Sequence, residues 1–176
     1  AAALREYQES VRLDPRFASA HGALSLLFVT YGRPDLAEPH ARAAAEHLAR
    51  MPEKEQALLR LGWRSRGAHF SAGRDLLPDP TSREEALRLA AALEARFPDD
   101  KFVLARVADV YLTPDIDQKA EAERVLRRTL TLDPGYRYAL VPLLDLLEDR
   151  PVERLEIARR AVATRRSASN LALLAR

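Results

Sequence analysis

The sequence predicts an all-α fold of antiparallel helix pairs in one domain over residues 1–176, and three observations lead to this prediction. The 176 residues include 31 Ala and 29 Leu against nine Val and two Ile, a composition that favours helices over a sheet. Asp-Pro and Pro-Asp pairs recur where helical patterns stop, because proline disfavours helix in the residue before it. The sequence also matches itself at an offset of 34 residues, which is typical of helical repeats. The matched positions are Ala3 with Ala37, Tyr7 with Ala41 and Ser10 with Ala44.

Apolar residues three and four positions apart predict each helix in turn. The first helix carries Leu4, Tyr7 and Val11 on one face, and it ends at Asp14-Pro15. A glycine, Gly32, ends the second helix, and the carboxylate of Asp35 is expected to cap the third. The predicted helices span approximately residues 3–13, 17–32, 35–50, 53–70, 82–97, 100–112, 117–132, 136–149 and 151–165, and a further helix starts at 167.

One segment, from Ser71 to Ser82, interrupts the repeat. It places about a dozen residues where a helix connection normally needs only a few. Pro78 and Pro80 exclude regular helix there, and Gly73 loosens the entry. We therefore expect an irregular insertion at about residues 71–82, and we expect limited proteolysis to cut there first.

The helix pattern resembles the tetratricopeptide repeat. Ala3-Leu4-x-x-Tyr7-x-x-Ser10-x-x-Leu13-Asp14-Pro15 is similar to the second helix of such a repeat, and Leu24-Ser25-x-x-Phe28-x-x-x-Gly32 is similar to the first helix of the next. The resemblance continues in Val107-Ala108-x-x-Tyr111, although His21 and Leu104 stand where the family has Trp. It implies a right-handed superhelix in which the first helix of each pair lines a concave groove.

The same resemblance implies which residues line that groove and bind a partner. Their order along the chain implies an apolar first end, an aromatic and basic middle, and an acidic last end suited to a basic terminus of the partner. The alternative for the aromatic residues is packing between helices, which is their usual role in helical proteins. The expected groove residues are Leu26, Val29, Thr30, Leu59, Trp63, Arg66, Phe102, Asp109, Tyr138, Asp145, Glu148 and Asp149.

The leading functional prediction is a protein-protein interaction scaffold that binds a partner protein or peptide, or another part of its own polypeptide, with no catalysis in this segment. The main alternative is a regulatory or sensory arm of a larger bacterial enzyme or transcription factor. A third hypothesis is an RNA-binding repeat that uses Arg pairs such as Arg127-Arg128. Glu123 and Glu153 interleave with those arginines, as on an ordinary solvated face, so nucleic acid is not expected.

No sequence pattern indicates an active site, a metal or a cofactor, and the chain has no Cys. The stretch Gly62–Gly67 reads Gly-x-x-Ser-x-Gly instead of Gly-x-Ser-x-Gly, and it lies in a predicted helix. His40 and His47 are seven residues apart, whereas a zinc pair on a helix is spaced by four, so we expect solvated histidines. The segment Asp115-x-Asp117 with Glu121 lacks the Gly of a calcium loop and fits a helix cap better.

Charge and hydropathy predict the environment of the protein. The formal net charge is only +2 with the two signs interspersed, and no apolar run approaches the roughly 20 residues of a membrane span, so we expect a cytoplasmic protein. The chain starts without Met and ends within a helical pattern at Asn170–Leu174. We therefore expect a piece of a longer chain, with self-association through uncapped end helices as a possible outcome.

Overall fold

The computed structural model of the protein describes residues 2–69 and 81–164, and within these ranges it describes every side chain except those of residues 66–69. Within these ranges the chain forms nine α-helices and a short 3-10 helix and contains no strand, which confirms the all-α prediction for this part. The expected insertion lies outside the described residues except for Thr81 and Ser82, as does the helix start at 167. The helices are α1 (Ala2–Leu13), α2 (Ala18–Thr30), α3 (Pro34–Glu46), the 3-10 helix (Leu48–Arg50), α4 (Glu53–His69), α5 (Arg83–Arg96), α6 (Lys101–Tyr111), α7 (Lys119–Leu132), α8 (Arg137–Leu146) and α9 (Pro151–Thr164).

The Asp-Pro pairs end helices by the same local chemistry in two places. After α1, the carboxylate of Asp14 accepts a hydrogen bond from the backbone N–H of Arg16 at 2.9 Å. After α7, the carboxylate of Asp133 accepts one from the backbone N–H of Gly135 at 3.1 Å. Such Asx turns compete with helical hydrogen bonding, and the proline that follows Asp cannot donate to a helix. Both helices therefore stop where the sequence predicts.

The start of α3 differs from the prediction. Asp35 was expected to cap this helix, but Pro34 occupies its first position and Arg33 is the N-cap residue, so the prediction for Asp35 is wrong. Proline suits the first helical position because its fixed φ is helical and no N–H is needed there. Asp35 instead forms an ion pair with Arg33 at 2.7 Å.

The chain divides into two compact units. Unit 1 comprises residues 1–90 and 113–116, and unit 2 comprises residues 91–112 and 117–176. In the described part of unit 1, α2 packs extensively against α3 and also contacts α1 and α4. In that of unit 2, α7 packs against both α6 and α8. No helix among the described residues is long and apolar enough for a bilayer span.

The core of unit 1 is built around Trp63 of α4, which is 1% exposed. Its indole Nε1–H donates a hydrogen bond to the hydroxyl of Ser25 at 3.0 Å, and that hydroxyl donates to the carbonyl of Gly22 at 2.7 Å. Gly22 allows α2 to approach α4 closely, since a Cβ at this position would lie 2.7 Å from a methyl group of Leu59. The remaining buried residues of this cluster are Ala18, Ala41, Ala44 and Met51.

The core of unit 2 is apolar, and ion pairs between helices flank it. Along α6, Val103, Leu104 and Val107 are fully buried. On the surface, Arg124 of α7 binds both carboxylate oxygens of Glu94, at 2.6 and 2.9 Å. A bidentate guanidinium–carboxylate pair fixes orientation as well as contributing energy, so it holds α7 against the end of α5.

Candidate functional site

The structure places three of the six predicted groove residues of unit 1 in the core. Val29, Leu59 and Trp63 are buried, so Trp63 follows the alternative of packing between helices. Leu26 is half-buried against the Trp63 cluster. Thr30 is exposed, and its hydroxyl donates to the carbonyl of Leu26 at 2.8 Å. The side chain of the sixth residue, Arg66, lies outside the described part of the chain.

The six predicted residues of unit 2 lie at its surface. Phe102 near the start of α6 is 64% exposed, and Tyr138 near the start of α8 is 69% exposed. Asp109 on α6 is half-buried. The exposed carboxylates are Asp145 on α8 and, in the turn that follows, Glu148 and Asp149. Unit 2 therefore has large exposed aromatic groups and exposed acids on α6, on α8 and in the adjoining turn.

A third aromatic residue, Tyr136, joins Phe102 to Tyr138. The Tyr136 ring lies edge-on to Phe102 with 5.7 Å between centroids, and it lies 5.6 Å from the ring of Tyr138. These three residues are called the aromatic row below. The repeat register selects Tyr138 and misses Tyr136, although the sequence signal, Tyr136-Arg137-Tyr138 after a turn, is present. Edge-to-face contact between rings is a stabilising geometry, so the row is held in place before any partner binds.

One ammonium group covers part of the aromatic row. The Nζ of Lys101 lies 5.4 Å from the ring centroid of Phe102 and 5.2 Å from that of Tyr136, within the range of a cation–π interaction. The same Nζ donates to the carboxylate of Asp133 at 2.7 Å. Lys101 thus connects the start of α6 to the turn after α7, and a positive charge already lies beside two rings of the row.

An open depression adjoins Phe102. Its volume is about 630 Å³, and its apolar walls are Phe97, Pro98, Phe102 and Leu132. The acidic residues nearby are engaged: Asp100 caps α6 by accepting hydrogen bonds from two backbone N–H groups, and Asp99 lies 3.5 Å from the guanidinium of Arg128. The depression therefore offers apolar contact area next to the aromatic row.

The Tyr136 hydroxyl is held in its neutral form. The pKa of Tyr136 is raised to about 12, mainly by burial and to a smaller extent by the neighbouring Tyr138 and Asp109, while Arg106 opposes the shift. Arg106 and Asp109 form an ion pair at 3.0 Å, so their charges largely offset each other at the edge of the row. Tyr136 is consequently a neutral, half-buried group that supports the two exposed rings.

The carboxylates of Asp145, Glu148 and Asp149 have no counter-charge among the described residues; we call these three residues the acidic end. In contrast, Glu123 of α7 binds Arg127 at 2.7 Å and Arg150 at 2.5 Å. Asp145 lies in the last turn of α8, where the helix dipole disfavours negative charge, whereas Glu148 and Asp149 lie between the end of α8 and the start of α9. This part of the surface therefore carries a local excess of negative charge.

Unit 1 contains a histidine pair that the sequence does not reveal. The Nδ1 atoms of His21 and His40 lie 2.9 Å apart, and Nε2 of His21 lies 3.1 Å from the carbonyl of Pro15. The expected partner of His40 was solvent, so this contact corrects that expectation. Burial lowers the pKa of His40, and the nearby His21 lowers it further. No group of three or more potential metal ligands occurs among the described residues.

Another expected role, that of Asp115 and Asp117 at a helix cap, is not observed. The N-cap residue of α7 is Gln118, so this prediction is wrong. Asp115 instead pairs with the guanidinium of Arg64 in α4. Although desolvation opposes the shift, hydrogen bonding and attraction from Arg64 hold the pKa of Asp115 below its usual value. Asp117 adopts a positive φ of 47° in the connection before α7.

A second cavity of unit 2, of about 550 Å³, lies among α7, α8 and α9. Leu130, Leu143 and Ile157 contribute apolar walls, and Arg127 and Arg160 contribute polar ones. None of the twelve predicted residues lines this cavity. The predicted residues of unit 2 are therefore associated with the aromatic row and not with this cavity.

The comparisons with known proteins found no matching family model and no matching curated protein. The tetratricopeptide resemblance therefore stays a prediction from the sequence. Any assignment of function depends on the geometry and chemistry of the surfaces described above.

Proposed function

We propose that the chain is a tetratricopeptide-like helical scaffold that binds a partner peptide or protein through the aromatic row of unit 2. The observation that supports this proposal most directly is the exposure of Phe102 and Tyr138, at 64% and 69%, in a row ordered by Tyr136. Exposed aromatic side chains are enriched at interfaces because they bury a large area at a low cost in conformational entropy. The same surface would serve in a regulatory arm of a larger enzyme or transcription factor.

Preorganisation of the row favours binding. Lys101 holds the start of α6 to Asp133, and the carboxylate of Asp100 accepts hydrogen bonds from the backbone N–H groups of Phe102 and Val103. A side chain that is already ordered loses less entropy when a partner binds, so more of the contact energy remains as affinity. These contacts support an interaction role for Phe102.

The arginines of α7 favour a protein partner over a nucleic acid. Arg127 contacts the carboxylates of Glu123 and Glu153 at 2.7 and 2.6 Å. Arg124 pairs with Glu94 and Glu121. Since each of these guanidinium groups is matched by carboxylates of α7 or of a neighbouring helix, Arg124 and Arg127 offer little uncompensated positive charge to phosphates.

The test is selection of binding peptides from a displayed random library, followed by affinity measurements with the selected peptides. Phe102→Ala combined with Tyr138→Ala should weaken binding by about 2 kcal/mol or more, because central aromatic anchors carry much of an interface's energy. The matched control is Tyr31→Ala, which removes a tyrosine that is 54% exposed in unit 1. The control should bind as the parent chain does, and circular dichroism should show that both variants are folded. Equal binding by the double variant and the control would contradict the proposal.

A further inference from the structure

The charges around the aromatic row restrict which partner segment can bind. We infer that the bound segment has an uncharged apolar anchor on the row and Lys or Arg residues about three or four positions away, directed at the acidic end. This inference depends on the proposed function, and it adds the chemistry and spacing of the partner. Three features of unit 2 support it: Lys101 beside the rings, the depression beside Phe102, and the carboxylates after Tyr138, which lack a counter-charge among the described residues.

The position of Lys101 favours an uncharged anchor residue in the partner. Tyrosine and phenylalanine rings attract apolar groups and cations alike. Here the ammonium of Lys101 already lies 5.4 and 5.2 Å from the ring centroids of Phe102 and Tyr136, so a cation from a partner would have to displace Lys101 to bind these two rings. An apolar side chain has no such penalty, and the depression walled by Phe97 and Leu132 offers it additional contact area. The segment that contacts the row is therefore uncharged.

The acidic end is the place where we expect the basic residues of the partner to bind. Lys101 and Arg106, which are close to the row, are compensated by Asp133 and Asp109. The carboxylates of the acidic end lack such a counter-charge among the described residues. Asp145 also lies at the C-terminal end of α8, where the helix dipole disfavours its negative charge, so a bound cation stabilises this carboxylate in particular. Charge complementarity thus favours Lys or Arg in the partner at this end.

The helix geometry fixes the spacing between anchor and charge. Tyr138 and Asp145 are seven residues apart on one face of α8, which corresponds to about 10 Å along the helix axis. An extended peptide advances by about 3.3 Å per residue, so about three residues cover that distance. Glu148 and Asp149 follow Asp145 by three and four residues in the turn after α8, so the acidic end also offers carboxylates to a second basic residue of the partner.

The probe is a displayed library of random peptides of about 12 residues, which extend to about 40 Å and so cover the whole surface. The selected peptides should be enriched in Lys or Arg about three or four positions from an apolar residue. The affinity of the strongest peptide is then compared between two variants with the same change in net charge. The first neutralises the acidic end with Asp145→Asn, Glu148→Gln and Asp149→Asn. The matched control neutralises three other exposed carboxylates with Glu46→Gln, Glu84→Gln and Glu156→Gln.

The acidic-end variant should bind about tenfold more weakly than the control at about 20 mM salt, and the difference should shrink at about 0.5 M salt. Replacement of the peptide's anchor residue by Arg should weaken binding to the parent chain, and Lys101→Met should remove most of that penalty. Equal affinities of the two charge variants, or selected peptides without basic enrichment, would overturn the inference while the dependence on Phe102 and Tyr138 stands. Binding that is indifferent to Phe102 and Tyr138 would overturn the proposed function and this inference together.

Discussion

Replacement of Ser25 by Ala tests the packing of unit 1 because it leaves one buried donor without an acceptor. The indole Nε1–H of Trp63 donates to the hydroxyl of Ser25 at 3.0 Å, and the two side chains are 1% and 0% exposed. Water cannot replace the lost hydroxyl without a rearrangement of the core. An unsatisfied buried N–H costs about 1–3 kcal/mol, so we expect Ser25→Ala to lower the free energy of unfolding by that amount.

A double-mutant cycle isolates this hydrogen bond from changes in packing. Trp63→Phe removes the donor and part of the ring, and it should cost about 2–3 kcal/mol through the cavity that it leaves. In this background the Ser25 hydroxyl still has the Gly22 carbonyl as acceptor at 2.7 Å, so Ser25→Ala should cost only about 0.5–1 kcal/mol. The expected coupling energy between Ser25 and Trp63 is therefore about 1–2 kcal/mol.

The assay is urea unfolding monitored by far-ultraviolet circular dichroism. Tryptophan fluorescence is unsuitable, because Trp63 is the only tryptophan and the two variants that carry Trp63→Phe lack it. The matched control is Ser65→Ala, which removes a buried serine of α4; among the described residues, its hydroxyl donates to the carbonyl of Gly62 at 3.3 Å and forms no hydrogen bond with Trp63. Ser65→Ala should be additive with Trp63→Phe to within about 0.5 kcal/mol. The reasoning is refuted if the Ser25 cycle is equally additive while m-values stay constant.

Three further predictions concern local conformation and titration. Gly32→Ala should destabilise the chain by about 1 kcal/mol in urea unfolding, because Gly32 has a φ of 68°, which residues with a Cβ rarely adopt. An added Cβ would meet no atom within 4 Å, so the cost is conformational and not steric. Gly32→Asn should therefore cost less than Gly32→Ala, and equal costs would contradict a conformational cause. Because the pKa of His40 is lowered in the folded chain, the unfolded chain binds a proton first as the pH falls, so stability should decline below about pH 6.5. His40→Gln should flatten that decline. An unchanged dependence of stability on pH in this variant would refute the role of His40. The pKa of Tyr136, about 12, means that the unfolded chain loses its phenolic proton first, so stability should decline as pH rises above about 10. Tyr136→Phe should flatten this alkaline decline in urea titrations, and a parent chain that is equally stable across that range would argue against burial of the hydroxyl.

The helices and their ends could be predicted from the sequence because they depend on short-range interactions. The prediction of a helix at residues 82–97 corresponds to α5, Arg83–Arg96, and that at 100–112 corresponds to α6, Lys101–Tyr111. Apolar spacing, proline and Asx turns act over a few residues, so they can be recognised without the tertiary structure. The prediction that Asp35 caps α3 was wrong by two residues. Pro34 occupies the first helical position, so the N-cap is Arg33.

The exposure of the candidate site residues could be predicted only in part. Trp63 and Tyr138 are both aromatic residues that the repeat register assigns to a groove, yet Trp63 is buried and Tyr138 is exposed. The difference arises from α2, where Gly22 permits close approach to α4 and Ser25 supplies an acceptor for the indole. No such neighbour covers Tyr138 in the described part of unit 2. Burial depends on which helices pack together, so it cannot be predicted from the sequence pattern of one helix alone.

The sequence by itself thus determined the helical class, the approximate positions of the helices and the acidic character of the region after Tyr138. The tertiary structure decided which side chains meet across large separations, such as His21 with His40 and Lys101 with Asp133. It also brought Phe102 to Tyr136, which lie 34 residues apart, and so created the aromatic row. The physical reason is range: a helix forms from interactions within a few residues, whereas a surface is produced by helices that pack together from distant parts of the chain.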